Sequence, residues 1–212
     1  MKRALLFYGG WDGHQPQEVS SRLEGILRKN GFETVRVAGV DCLADEENLR
    51  TFDLLVPCVT DSTLPETCSR AVCAAVESGV GLAGCHGGMC DSFRTDTAWQ
   101  FMTGGQWVAH PGGDKVTYPV HFCSPSPLTQ GLADFTVCSE QYYLHVDPAI
   151  EVLATTPFFL GGRTVDMPVA WTKAWGKGRV FYSSLGHHDD LFDLCPTAEA
   201  LMERGMLWAS RT

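Results

Sequence analysis

The sequence predicts an α/β fold: a doubly wound, mostly parallel sheet with a β-rich extension. Three observations carry that prediction. Short apolar runs alternate with amphipathic stretches through the first half of the chain. Each run is brief, and the first stops at Gly9-Gly10, which suits strands buried on both faces. The second half changes to strand-like runs separated by proline and glycine turns, with one amphipathic segment at the end.

Taken in order, ALLFY (4–8) is a strand stopped by Gly9-Gly10. Pro16 opens a helix whose Val19, Leu23, Ile26 and Leu27 share a stripe, and Asn30-Gly31 closes it. TVRVA (34–38) and DLLVPCV (53–59) are the second and third strands, and Asp45-Glu46-Glu47 between them reads as a solvated helix start. A helix runs from Pro65 to Ser78, with Thr63 as N-cap and Gly79 past its end; VGLAGC (80–85) is the fourth strand. Strands and helices alternating through short loops require crossovers, hence a parallel sheet covered on both faces. Further strands are KVTYPVHF (115–122), DFTVCSEQYYL (134–144) and EVLATT (151–156). MPVAWTKAW (167–175) and GRVFYSSL (178–185) flank a hairpin turn at Gly176-Lys177, and a last helix runs from Pro196 to about Ser210. Without repeat, low-complexity tract or linker, residues 1–212 are expected to form a single domain.

The chain has 212 residues and a formal net charge of −9. Both halves are acidic: residues 1–106 hold 9 basic and 14 acidic side chains, residues 107–212 hold 7 and 11. No basic face able to neutralise a phosphate backbone follows from this, so nucleic acid is not an expected partner. No apolar stretch reaches the roughly 18 residues of a membrane-crossing helix, and Gly9, Gly10, Trp11 and Asp12 interrupt the N-terminal apolar run too early for a secretion signal. The nine cysteines are odd in number, scattered and free of any CxxC pair. Free thiols in a reducing cytoplasm are the expectation.

Ligands of open parallel sheets bind beyond the carboxyl ends of the strands. Three of those ends carry histidine among glycines: Gly9 to His14, Gly84 to Gly88 around His86, and Gly186-His187. The Gly84–Gly88 segment fits a strand–elbow–helix turn, whose apex in that register is His86. Cys85 then points back toward the sheet, and adjacent residues diverging across an elbow cannot form a Cys–His pair. A neutral His86 at pH 7 is expected, from the helix N-terminus that follows it.

The strings GGWDGH (9–14), GLAGCHGG (81–88), TGGQWVAHPGG (103–113), PSPLTQGL (125–132), SEQYY (139–143), PVAWTKAWGKGRVFYSSLGH (168–187) and GMLWAS (205–210) resemble the ThuA-like, trehalose-utilisation family. That family is a branch of the class I glutamine-amidotransferase-like superfamily, and the resemblance spans nearly the whole chain. It implies a flavodoxin-like fold that has lost the amidotransferase nucleophile, and an association with trehalose and keto-sugar catabolism. By position it matches His14, His86, His110, Glu140 and His187 to family residues. The chain departs from the family at Ser126-Pro127, where relatives usually carry a histidine before the proline.

These lines converge on a set of roles. His86, Glu140 and His187 are the candidate acid–base residues, since histidine titrates near neutrality and a carboxyl can be tuned by burial. His14, Trp11, Gly87, Gly88, Trp107, His110 and Tyr142 are candidates for binding a carbohydrate: tryptophan faces stack on sugar C–H faces, and glycine lets a ligand approach the backbone. His14, His86 and His187, with Glu140, also suit a divalent metal such as zinc; the alternative is a metal-free sugar site. Three functions stay open. One is an enzyme of keto-sugar isomerase, epimerase or hydrolase type; the others are a Cys85-dependent hydrolase and a non-catalytic sugar-binding or assembly module. The expected partner is a small-molecule carbohydrate, and the expected state a homo-oligomer.

Overall fold

The computed structural model describes Met1–Thr212. In chain order its elements are β1 (Arg3–Gly10), α1 (Pro16–Lys29), β2 (Glu33–Ala38), α2 (Glu46–Leu49), β3 (Leu54–Thr60), α3 (Glu66–Glu77), β4 (Gly81–Cys85), α4 (Gly87–Cys90), α5 (Thr97–Thr103) and β5 (Gly105–Ala109). There follow β6 (Val116–Phe122), β7 (Phe135–Ser139), β8 (Tyr143–Val146), β9 (Glu151–Leu160), β10 (Arg163–Trp175), β11 (Gly178–Ser183), α6 (Leu191–Leu194) and α7 (Pro196–Ala209).

Nine strands form one sheet in the order β2-β1-β3-β4-β11-β10-β9-β6-β7. The first five are mutually parallel and the remaining four antiparallel. The parallel half has the strand order of a flavodoxin-like sheet, whose crossovers reverse direction between β1 and β3. β3 and β4 are buried along their whole length, as their unbroken apolar runs require. The predicted stripe of α1 (Val19, Leu23, Ile26, Leu27) packs with Leu201, Met202 and Met206 of α7 in an apolar layer on one face. Val72, Ala75 and Val76 of α3, with Trp99, Met102 and Trp171, fill the layer on the other. Each fully buried leucine in these layers contributes roughly 1.5–3 kcal/mol, so both faces of the sheet are firmly anchored beneath the strand ends. No helix is long and apolar enough to cross a membrane.

The structure corrects several expectations. The stretch 134–144 is two strands in two sheets: β7 ends at Ser139 and β8 starts at Tyr143, paired with β5. The chain leaves the ladder at Glu140, where the Tyr118 hydroxyl donates to its carbonyl (2.9 Å) and the Gln141 side chain donates to Thr156 Oγ1 (3.0 Å) and the Pro157 carbonyl (3.1 Å). Pro65, not Thr63, occupies the N-cap position of α3, without a side-chain cap. The acidic run does open a helix: Asp45 accepts a hydrogen bond from the Asn48 amide at 3.0 Å. The helix beyond the elbow, α4, is only four residues long.

Candidate functional site

The strand ends bring four buried side chains together. His14 follows β1 on a short 3-10 turn, His86 follows β4, Glu140 follows β7 and His187 follows β11. One ligand-competent atom from each lies within 4.8 Å of all the others. Glu140 Oε2 is the common point: it stands 3.1 Å from His86 Nε2, 3.4 Å from His187 Nδ1 and 3.6 Å from His14 Nε2. His187 Nδ1 and His86 Nε2 are 3.3 Å apart.

The backbone is bent to achieve this. Gln15, Asp61 and His86 are the non-glycine residues with positive φ (47°, 48° and 49°), and they follow β1, β3 and β4 around the site. Such conformations persist only where the surroundings over-determine them. Gly10, at φ 80°, lies so close to the Thr60 carbonyl that a Cβ would fall 1.8 Å from its oxygen. That contact lets the Trp11 amide bond Thr60 (2.9 Å) and turns His14 inward. Gly87 and Gly88, expected to admit a ligand, also have packing reasons to be glycine. A Cβ on Gly87 would meet His14 Nδ1 at 2.4 Å, and one on Gly88 would meet Cys58 Cα at 2.9 Å.

The one N–H of a neutral His86 can serve the Ser184 carbonyl or the Glu140 carboxylate but not both, and His187 Nδ1 lies 3.3 Å from its Nε2. His86 Nδ1 faces the Ser184 carbonyl at 2.8 Å and its Nε2 faces the Glu140 carboxylate. Burial lowers its pKa to about 4, against the bonding and charge of Glu140. The ring is therefore neutral at pH 7, as expected, with burial as the main cause rather than a helix terminus. A neutral imidazole has one N–H for two acceptors. His187 is likewise neutral, lowered to about 3, first by burial and then by the proximity of His86. Burial opposes ionisation of Glu140, but the imidazoles of His14 and His86 outweigh it and hold the carboxyl well below the usual range. His14 Nδ1 lies 2.9 Å from Thr60 Oγ1, while its Nε2 is buried with no partner.

Buried lone pairs facing a carboxylate fit a cation. For zinc with N and O ligands at about 2.0–2.2 Å, tetrahedral geometry puts the ligand atoms roughly 3.3–3.5 Å apart. The spacings of 3.1–3.6 Å around Glu140 Oε2 bracket that value. Thr60 and the Ser184 carbonyl then hold the outer nitrogens of His14 and His86, as partners of metal-bound imidazoles do.

Around the four lie the other predicted residues. The Tyr142 ring stacks on His86 with centroids 4.0 Å apart, and its buried hydroxyl has no hydrogen-bond partner. Burial pushes the phenol well up, which keeps it protonated. Tyr143 leaves the site and packs on Phe158. Trp11 is 53% exposed and meets His14 edge-on at 4.7 Å. His110 Nδ1 is 3.6 Å from Glu140 Oε2 and accepts from the Trp107 indole at 3.1 Å. Arg94 lies 4.7 Å over the Trp107 ring and pairs with Asp91 (2.6 Å) and Asp61 (3.1 Å). Thr60 and Asp61 were not anticipated as parts of this site; only their strand-end position could have signalled them. Cys85 is buried in the apolar layer beneath the cluster, where burial raises its thiol to about 12.

A family model described as ThuA, trehalose utilisation, matches residues 3–209. A ThuA-like protein from Parabacteroides merdae ATCC 43184 superposes with a TM-score of 0.80 at 18% identity, covering 98% of this chain and 89% of the other. A second, from Bacteroides uniformis ATCC 8492, gives 0.76 at 20% identity, covering 98% and 91%. A cytoplasmic protein of Salmonella typhimurium LT2 gives 0.68 at 12% identity, covering 99% and 100%. No curated protein matches the chain.

Proposed function

The chain belongs to the ThuA trehalose-utilisation family, and on that premise we propose that it is an enzyme acting on a keto-sugar or an oxidised disaccharide, at a divalent metal held by His14, His86, Glu140 and His187. The observation that carries the reading is the convergence of three buried imidazoles on one ionised carboxylate oxygen, with a ligand-competent atom from each of the four side chains within 4.8 Å of the others. A cation such as zinc bound there supplies Lewis acidity toward a substrate carbonyl.

The remaining work falls to the chain itself. Trp11, exposed at the border of the cluster, offers a ring face for a sugar, and Trp107 lies beside it with one face covered by Arg94. Arg94 and Asp61, partly exposed and paired with each other, suit sugar hydroxyls. Tyr142, protonated and unpartnered, offers a donor to a substrate oxygen. His110, about one-third exposed, is the imidazole best placed to exchange a proton with substrate, while the burial of His86 and His187 suits them to ligand duty. The chemistry within reach is proton transfer beside a carbonyl, which serves isomerisation or epimerisation. A Cys85 nucleophile is disfavoured, because a thiol raised to about 12 inside the apolar layer is neither ionised nor accessible. A cytoplasmic location agrees with the description of the Salmonella typhimurium neighbour. A homo-oligomer would use apolar surface such as Phe159 and Leu160, exposed at the tip of the β9–β10 hairpin.

The test is incubation with a panel of keto-sugars and oxidised disaccharides, followed by NMR, with and without chelator. Conversion of one member, lost on chelation and restored by zinc, supports the reading. Binding without conversion across the panel favours a sugar-binding module.

A further inference from the structure

Resting on the metal reading above, we infer that Trp107 is a positioning residue. Its indole holds His110 in one tautomer, keeping that imidazole off the cation and its proton available to substrate. The puzzle it resolves is one of distance. His110 Nδ1 stands 3.6 Å from Glu140 Oε2, the same separation as His14 Nε2. His110 lies outside the mutually close set of four, but by its proximity to the shared carboxylate oxygen it could swing in as a fifth ligand, at the position a substrate oxygen would take.

The hydrogen bond from Trp107 decides the matter. An indole N–H only donates, so His110 Nδ1, 3.1 Å from Trp107 Nε1, must present its lone pair to the indole. That lone pair is then not free for a metal. With Nδ1 accepting from the indole, the ring proton sits on Nε2. The Trp107 ring is itself fixed from outside the cluster: the Arg94 guanidinium covers it at 4.7 Å, and two carboxylates hold Arg94. Behind His110 the Tyr142 ring lies nearly parallel, 6.0 Å away at 21°. His14 and His86 differ in that their outer nitrogens, not their inward ones, are bonded to Thr60 and Ser184. One side chain thus separates a ligand histidine from a proton-carrying one.

The test replaces Trp107 by Phe, which keeps an aromatic ring and removes the N–H along with the smaller ring of the indole. Cobalt(II) serves as the probe, because its visible absorption weakens as coordination rises from four toward five. In Trp107→Phe the absorption is expected to weaken, and removal of cobalt by chelator to slow by about tenfold or more. The double variant Trp107→Phe/His110→Ala should return both to wild-type values, since the added ligand is gone. In the metal-free protein, nitrogen-15 NMR should show His110 protonated on Nε2 in the wild type and as a tautomer mixture in Trp107→Phe. Unchanged absorption and chelator kinetics in Trp107→Phe, or changes that persist in the double variant, would overturn the assignment. Failure of the wild type to take up cobalt would instead sink the metal reading, and the nitrogen-15 signature would still decide the role of Trp107.

Discussion

Gly87→Ala adds one methyl group and bears on the whole site. The new Cβ would lie 2.4 Å from His14 Nδ1, 2.5 Å from its Cε1 and 2.9 Å from Thr60 Oγ1. Carbon atoms settle at about 3.5–4.0 Å, so the His14 ring must retreat by about 1 Å. Retreat breaks the 2.9 Å contact with Thr60 and withdraws Nε2 from its place 3.6 Å from Glu140. Gly87 is not among the residues with positive φ, so alanine introduces no backbone strain and the effect belongs to His14. Overpacking of this kind costs about 1–3 kcal/mol. At about 2–4 °C per kcal/mol for a domain of this size, Tm should fall by about 2–12 °C. Loss of an oriented ligand should weaken zinc binding by roughly 10- to 100-fold. Calorimetry reads the first effect and competition with a chromophoric chelator the second. Zinc affinity equal to that of the wild type would refute the placement of His14 in the ligand set.

Two further predictions follow from the ionisation states. Cys85→Ala should retain activity, and mass spectrometry after iodoacetamide treatment at pH 8 should find the exposed Cys123 and Cys138 alkylated but Cys58 and Cys85 untouched in the native protein; loss of activity on Cys85→Ala would contradict this. Metal-free protein should lose stability in acid. The folded pKa of His86 is about 4 against an ordinary value of 6.5, so below 6.5 the unfolded chain binds the proton that the folded one refuses. The folded state is then disfavoured progressively as pH falls from 6.5 to 4, by about 3 kcal/mol in all. Depression of the Glu140 carboxyl acts in the same direction at still lower pH. Urea unfolding of the chelated protein at a series of pH values measures it, and a flat profile between pH 7 and 4 would contradict the buried neutral imidazole.

The parallel half of the fold was legible because its information is local. Apolar runs such as residues 53–59 cannot be placed anywhere but in a buried strand, and Pro16 and Asn30 bracket a helix whatever surrounds it. His14, His86 and His187 were legible for the same reason: each follows a run stopped by glycine. The break at Glu140 was not. DFTVCSEQYYL alternates without proline or glycine, and the chain leaves β7 where Tyr118, distant in sequence, donates to the carbonyl of Glu140 and Thr156 accepts from the Gln141 side chain. The sorting of the two tyrosines, one onto His86 and one onto Phe158, follows from that break. Arg94 over Trp107 and the tautomer of His110 are tertiary facts between segments with no common pattern. Even the neutral state of His86 was anticipated for the lesser reason, since a four-residue helix contributes little beside full burial.

The most direct test of the metal-centred account is X-ray diffraction at the zinc absorption edge, from crystals of the full chain grown with zinc. A single strong anomalous peak is expected, bounded by His14 Nε2, His86 Nε2, His187 Nδ1 and Glu140 Oε2, with His110 Nδ1 still on the Trp107 indole. Zinc-saturated crystals with no anomalous peak among those four side chains would contradict it.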